Sequence, residues 1–157
     1  MRKILFRGKP VEKEHELRKG HYAHTDSDWV YGYFVNCASI YDDPEKDRVA
    51  EIIKIDADRI YEGEYSPLAC YRIIPETLGQ YSGTNDINDK KIFEGDIVKF
   101  VHAVGRYRKS PELVKWAEYL LAFITVDKDG NWDYLGSDDY EVIGNIHDNP
   151  ELLKEEI

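Results

Sequence analysis

The chain has 157 residues, 42% of them hydrophobic and 13% aromatic, and 31 acidic against 21 basic side chains give a net charge of −10. It is too apolar to be disordered and long enough for one ordinary domain or a small barrel with an added layer. Its overall charge argues against nonspecific nucleic-acid binding through the whole surface.

No window reaches the length of a membrane helix, and Met1–Gly8 lacks the apolar core of a signal peptide. Cys37 and Cys70 are too few and too far apart for a disulfide framework, so a soluble protein of a reducing cytoplasm is expected. The charge is unevenly placed. Residues 1–20 hold seven Lys/Arg against three Glu, and residues 99–115 hold five against Glu112 alone. Residues 127–157 hold ten Asp/Glu against Lys128 and Lys154. The basic stretch 99–115 suits either phosphate or the acidic C-terminal third of this chain or of a neighbouring copy.

In chain order, Ile4–Phe6 reads as a first strand ending at Gly8. His15–Asp28, polar and irregular, reads as a loop. Trp29–Ala38 alternates: Trp29, Tyr31, Tyr33 and Val35 share one side, and Val30, Gly32 and Phe34 the other. Asp42–Asp47 is a loop around Pro44. Ala50–Ile55 and Ala69–Ile73 are strand candidates separated by the turn-prone Tyr61–Pro67. Pro75-Glu76-Thr77 punctuates before a loop at Gly79–Gly83.

Ile92–Val98 is the most informative segment. In Glu94-Gly95-Asp96, Gly95 can take positive φ and Asp96 can accept from nearby backbone, which sets a tight turn at the mouth of a strand over Ile97–Val104. Pro111–Glu118 reads as the one internal helix, with Ser110 as cap and Pro111 at the first position. Tyr119–Val126 reads as a strand, and Asp127–Asn131 as a hairpin turn into Trp132–Leu135. Tyr140–Ile146 closes the β series, and Pro150–Ile157 is a short acidic helix capped by Asn149. The pattern predicts a mainly β, α+β fold with one or two short helices. Residues 1–78 form an N-terminal β-rich part and residues 79–157 a small β-barrel with a C-terminal helix, separate or fused into one compact domain.

Three blocks resemble the YopX family of bacteriophage and prophage proteins. The first is Met1–Lys9 followed by Trp29–Tyr33. The second is Ile74–Gly83 running into Ile92–Val98, with Gly79, Tyr81, Gly83, Glu94, Gly95 and Asp96 as its signature. The third is Tyr140–Leu153. Two features depart from the family pattern: Asn88-Asp89 stands where an Asn-Gly turn is usual, and Val104–Ala122 is longer and more helical in character than the usual link. The resemblance implies a Src-homology-3-like barrel in the C-terminal half with N-terminal strands packed beside it. It implies no activity.

His15, His21 and His24, with Asp26 and Asp28 beyond, have ligand types for zinc, but the spacing is short and no cysteine pair accompanies them, so no metal is expected. Asp127–Asn131 has calcium-ligand residue types, but Gly130 falls too early for a calcium loop. It reads as turn chemistry, as does Asp86–Asp89. Glu94 and Asp96 could form an acid/base couple only in a cleft; Asp96 is expected to cap backbone amides and Glu94 to stay solvated. No nucleophile elbow, phosphate loop or dinucleotide fingerprint appears, so no cofactor and no enzyme activity are expected.

Trp29, Tyr31, Tyr33, Tyr107 and Trp132 could stack bases, with Arg106, Arg108 and Lys109 on phosphates. Rings at alternate strand positions are more often core. The expectation is therefore a protein-interaction module, a phage accessory protein of the bacterial cytoplasm, with Arg106, Tyr107, Arg108, Lys109 and Trp132 as contact residues. Nucleic-acid binding through the same basic run is the alternative. Self-association is also expected, because the uncharged run Tyr119–Val126 needs a core or another chain to cover it.

Overall fold

The computed structural model describes residues 4–12, 14–18, 21–24, 27–37, 49–55, 68–101, 111–136 and 140–154. It forms two compact units, Ile4–Gly79 and, after it, Gln80–Ile157. Both are antiparallel β structures with almost no helix.

In the N-terminal unit, β1 (Phe6–Gly8), β4 (Val30–Cys37), β5 (Val49–Ile55) and β6 (Leu68–Arg72) lie in the order β6-β5-β4-β1, and β2 (Glu14–Arg18) pairs with β3 (His21–His24) as a separate hairpin. The His15–Asp28 loop expectation is thus corrected. Glu14 pairs with His24 and Glu16 with Tyr22, so the segment folds back on itself. Polar residues on both sides of those strands hid the period of two. The alternation of β4 is as read: Val30 and Gly32 are buried, while Tyr31 and Tyr33 are exposed. Val30, Tyr71 and Ile73 form the core with Phe6 and Leu78 against them. A Cβ on Gly8 would lie 2.8 Å from Ile73 Cδ1, so this strand passes Ile73 too closely for a side chain.

Beyond β1 the chain runs along residues 72–74: the Val11 N–H donates to Arg72 O and the Ile74 N–H to Lys9 O, both at 2.9 Å. The Lys9 N–H donates to Thr77 Oγ1 at 2.8 Å, and that hydroxyl donates to Ile74 O at 2.7 Å. Buried Thr77 thereby ties the 3-10 turn Pro75–Thr77 to the end of β1.

In the C-terminal unit, β7 (Gly79–Asn85; its first residue belongs to the other unit) and β8 (Lys91–Phe93) form a hairpin. A five-stranded sheet has the order β12-β11-β10-β9-β13, from β9 (Asp96–Phe100), β10 (Glu112–Ala117), β11 (Ala122–Val126), β12 (Trp132–Tyr134) and β13 (Tyr140–Asn145). No closed barrel forms among the described residues. The core gathers Ile92, Val98, Val114, Phe123, Tyr140 and Val142.

Two sequence expectations fail here. Gly79–Gly83 is strand: Gly83, at φ 95°, sits in a register shift between Tyr81 and Asn85, so the glycine bulges the strand without ending it. Pro111–Glu118 is no helix, because β10 is flanked by β9 and β11 and its residues alternate between the core face of Glu112 and Val114 and an outer face that carries the exposed Lys115. Val114 and Ala117, three apart, are both buried although they lie on opposite faces of the strand, and that spacing also fits a helix stripe. The expected strand Tyr119–Val126 starts only at Ala122, with Glu118–Leu121 making the turn. The hairpin turn at Asp127–Asn131 and strands β12 and β13 fall where the sequence put them, and the C-terminal turn is a 3-10 segment, Pro150–Lys154.

Asp86 holds β13 to the β7–β8 turn. Its Oδ1 accepts from the N–H groups of Asn88 (2.8 Å) and Lys90 (2.9 Å), and its Oδ2 from that of Val142 (3.0 Å). The Ile87 N–H donates to Tyr140 O at 3.0 Å, so this turn covers the outer edge of β13. Burial works to raise the Asp86 pKa, but the three backbone donors and Lys90 outweigh it and hold the carboxyl below its ordinary value. Its contribution to stability is complete above the unfolded value of about 3.9 and is lost as pH falls through the lower folded value. Asp86→Asn sets an amide donor against a backbone N–H and should cost about 2–3 kcal/mol in urea unfolding at neutral pH. The variant should also lose less stability than the wild type between neutral pH and strong acid.

Candidate interaction surface

The candidate site is the end of the C-terminal sheet around the β10–β11 turn. Cross-strand register fixes which side chains share its outer face: Leu113 pairs with Val126 and Val126 with Trp132, while Lys115 pairs with Ile124 and Ile124 with Tyr134. Partners across a sheet lie on one face, so these six make two adjacent rows. Trp132 is 43% and Tyr134 56% exposed, and their rings meet edge to face with centroids 5.8 Å apart. Beneath them Ile124 is buried.

At the turn itself Tyr119 and Leu121 are 74% and 78% exposed. The Leu120 N–H donates to Ala117 O and the Leu121 N–H to Glu118 O, which closes a tight turn. Leu121 has φ 52°, a left-handed conformation that costs a branched side chain energy and is normally given to glycine. Beside it an open groove of about 320 Å³ is lined by Trp116, Leu121, Phe123, Tyr134 and Leu135, with Ser82–Thr84 of the β7 bulge as the other wall. Trp116 and Phe123 pack edge to face at 5.0 Å on its floor. The described lining holds no carboxylate, imidazole, amine, guanidinium or thiol, so it offers apolar contact and hydroxyls without acid/base chemistry.

The sheet edge at β12 is blunted. Hydrogen-bonded pairs alternate along β11 and β12, and the Leu135 N–H donates to Phe123 O at 3.1 Å, which turns the backbone of Trp132 and Tyr134 outward. The Tyr134 N–H is taken by Asp133 Oδ1 at 2.8 Å. A carboxylate at this edge discourages strand addition and leaves the rings as the feature a partner meets.

Of the residues singled out from sequence, Trp132 lies on this surface. Arg106, Tyr107, Arg108 and Lys109 lie outside the described residues, as does Asp26. His15, His21 and His24 have backbone in β2 and β3, but their side chains lie outside the described residues. Gly79 is buried and opens β7. The Tyr81 ring tilts against Phe93 at 5.6 Å, and its hydroxyl donates to Asn85 Oδ1 at 2.7 Å. Burial and the nearby charge of Asp89 push the Tyr81 phenol up.

Asp96 is 1% exposed, and its Oδ2 accepts from the Phe93 N–H at 2.7 Å, the amide cap expected of it. Glu94 is not simply solvated: it is half-buried and its Oε1 accepts from the Trp116 N–H at 3.2 Å. Asp127 spends its carboxylate on its own turn. Oδ1 accepts from the N–H groups of Asp129 and Asn131 at 3.0 and 2.8 Å, and Oδ2 from the Asn131 side-chain amide at 2.9 Å. Tyr119 and Leu121 belong to the run Tyr119–Val126 singled out for self-association, but their exposure and that of Tyr134 are not legible in the sequence, because it gives no sign of which apolar side chains turn outward.

The profile of the family described as YopX protein matches residues 29–154, most of the chain. The chain belongs to the YopX family. A crystal structure of protein EF1440 from Enterococcus faecalis is similar at 24% identity, covering 71% of this chain and 83% of that one with a TM-score of 0.37. No curated protein matches the chain.

In this YopX-family chain the positive φ of Leu121 gives a direct test of whether the turn trades stability for an exposed side chain. Leu121→Gly removes the left-handed penalty while adding chain entropy to the unfolded state. The variant should be more stable by about 0.5–1 kcal/mol in denaturant unfolding, and a loss of stability would show that Leu121 packs usefully in the monomer.

Proposed function

We propose that the protein is a non-enzymatic accessory protein of a phage or prophage that acts in the host cytoplasm by binding another protein. Its contact surface is the outer face of β10–β12 with the neighbouring groove. The observation that carries this reading is the exposure of Tyr119, Leu121, Trp132 and Tyr134 around one sheet, with Leu121 and Tyr134 lining the groove beside Trp116 and Phe123. Aromatic anchors beside an apolar hollow, ringed by the charges of Lys115, Glu118 and Asp133, have the anatomy of an interface centre with a polar rim. A left-handed leucine at the tip agrees, since strained conformations gather where a side chain is presented for contact.

The sheet order supports a small-barrel reading of the Src-homology-3 type. β9 to β12 run as a meander and β13 returns to pair with β9, the connectivity of such barrels. In this reading Arg106–Lys109 supply a second set of contact residues.

Affinity capture with cross-linking in infected or induced host cells tests the reading, comparing the wild type with Leu121→Asp and Trp132→Ala/Tyr134→Ala. A specific protein retained by the wild type and lost at least tenfold by both variants is expected, since removing a hot-spot ring costs about 2 kcal/mol or more. Equal recovery by all three would refute the assignment.

Self-association remains part of the proposal. Tyr119 and Leu121 are solvent-exposed in the single chain, while Phe123, Ile124 and Thr125 of the same run are buried. A second copy covering the exposed pair would appear in light scattering coupled to size exclusion as a mass above one chain. It should fall to the monomer in Leu121→Asp. A monomer mass for the wild type at both low and high salt would remove self-association from the reading.

A further inference from the structure

The turn after β10 carries a projection and a hollow side by side. Leu121, 78% exposed, stands at the rim of the groove that Trp116, Phe123, Tyr134 and Leu135 line, and Tyr119, two residues earlier, is 74% exposed. These residues and the opposite wall, Ser82–Thr84, all belong to the C-terminal unit. Leu121 holds φ 52°, a conformation that costs a branched side chain energy and glycine almost none. Within the single chain a mostly exposed leucine recovers little of that cost by burial.

The charges flanking the turn are open as well. Lys115 and Glu118 are exposed, and neither side chain makes a hydrogen bond or ion pair among the described residues. They are opposite in sign, one on β10 and the other in the turn. A partner suited to this patch therefore offers an aliphatic projection, a hollow to accept Leu121 and one charge of each sign. The patch itself has that composition, and a second copy supplies it. Because projection and hollow adjoin, one two-fold rotation satisfies both contacts at once and the assembly closes. Projection and hollow on distant faces would instead propagate into a filament.

We propose that the groove is occupied by Leu121 of a second copy in a two-fold dimer, each leucine entering the other chain's groove, with Lys115 of one chain beside Glu118 of the other. The inference rests on reading this end of the sheet as a contact surface, and it names the occupant of the groove. Trp132 does not line the groove, so the outer face remains available to a different protein.

Light scattering coupled to size exclusion, on the full-length protein from low to high micromolar concentration, tests this. The mass should be that of two chains and should fall to one on dilution. Leu121→Gly should weaken the dimer by about 100-fold or more, since two buried leucines are lost. At a dilution where both proteins are monomeric, the same variant should melt above the wild type, whereas a folding defect would lower melting and mass together. Thr84→Trp keeps Leu121 but fills the groove wall, and it should weaken the dimer while melting like the wild type at that dilution. Lys115→Glu should weaken the dimer several-fold, and Lys115→Glu/Glu118→Lys should restore it. Trp132→Ala should remain a dimer. A monomer mass at every concentration, a mass above two chains, an undiminished dimer in Leu121→Gly, or no recovery in the double charge reversal would each overturn the proposal. A monomeric wild type that still captures a host or phage protein through this surface would overturn the dimer alone. A dimer that captures no other protein would support it and refute the binding of a different protein.

Discussion

The peptide of Gly95 is the constraint on which the C-terminal unit depends. Its N–H donates to Val114 O at 2.9 Å and its carbonyl accepts from the Ile146 N–H at 2.9 Å, so one residue joins the turn before β9 to β10 and to the end of β13. This geometry needs φ 83°, which glycine adopts at no steric cost. Glu94 on one side takes the Trp116 N–H, and Asp96 on the other takes the Phe93 N–H. The β9–β10 ladder itself pairs only Glu112 with Val98 and Leu113 with Ile97. The Glu-Gly-Asp turn therefore continues the work of the ladder where strand pairing stops. Trp116, whose ring forms part of the groove floor, is held in place by that turn through its own backbone.

The aromatic surface is a consequence of this arrangement. Once β10 is fixed, β11 and β12 follow by short hairpins, and register carries Leu113 to Trp132 and Lys115 to Tyr134. The turn after Ala117 has only Glu118–Leu121 in which to reverse, and the left-handed Leu121 completes the reversal. A glycine there would relax the backbone, so the leucine is kept at a local cost. That cost is intelligible if the side chain is used outside the monomer.

What could be read from the sequence follows from the range of the interactions that decide each element. Local chemistry identified the Gly95–Asp96 turn, the Asp127–Asn131 hairpin and the alternation of β4, since each is set by neighbours within a few residues. β10 was misread as helix because Glu112–Ala117 carries apolar residues at spacings that fit either period, and only pairing with β9 and β11 decides between them. β2 and β3 were hidden for a related reason: their pairing satisfies backbone groups but leaves no apolar alternation to see. At the candidate sites, Trp132 could be singled out by type. Tyr134 and Leu121 could not, because exposure depends on which sheet face is covered.

The same reasoning separates the two surfaces by chemistry. On the C-terminal unit the exposed rings adjoin leucine and a hollow lined by other rings, and the exposed Lys115, Glu118 and Asp133 of the same strands and turn are mixed in sign. Such a surface gains from removing apolar area from water and has little to offer a polyanion. On the N-terminal unit the exposed rings adjoin a tryptophan that holds Arg7 and Lys9 at 4.6 and 5.4 Å. The overall charge of −10 is spread over both parts of the chain: residues 4–79 hold 15 Asp/Glu against 10 Lys/Arg, and residues 80–157 hold 16 against 9. Net charge alone therefore points neither unit toward a polyanion, and what each surface can bind follows from the side chains beside its rings.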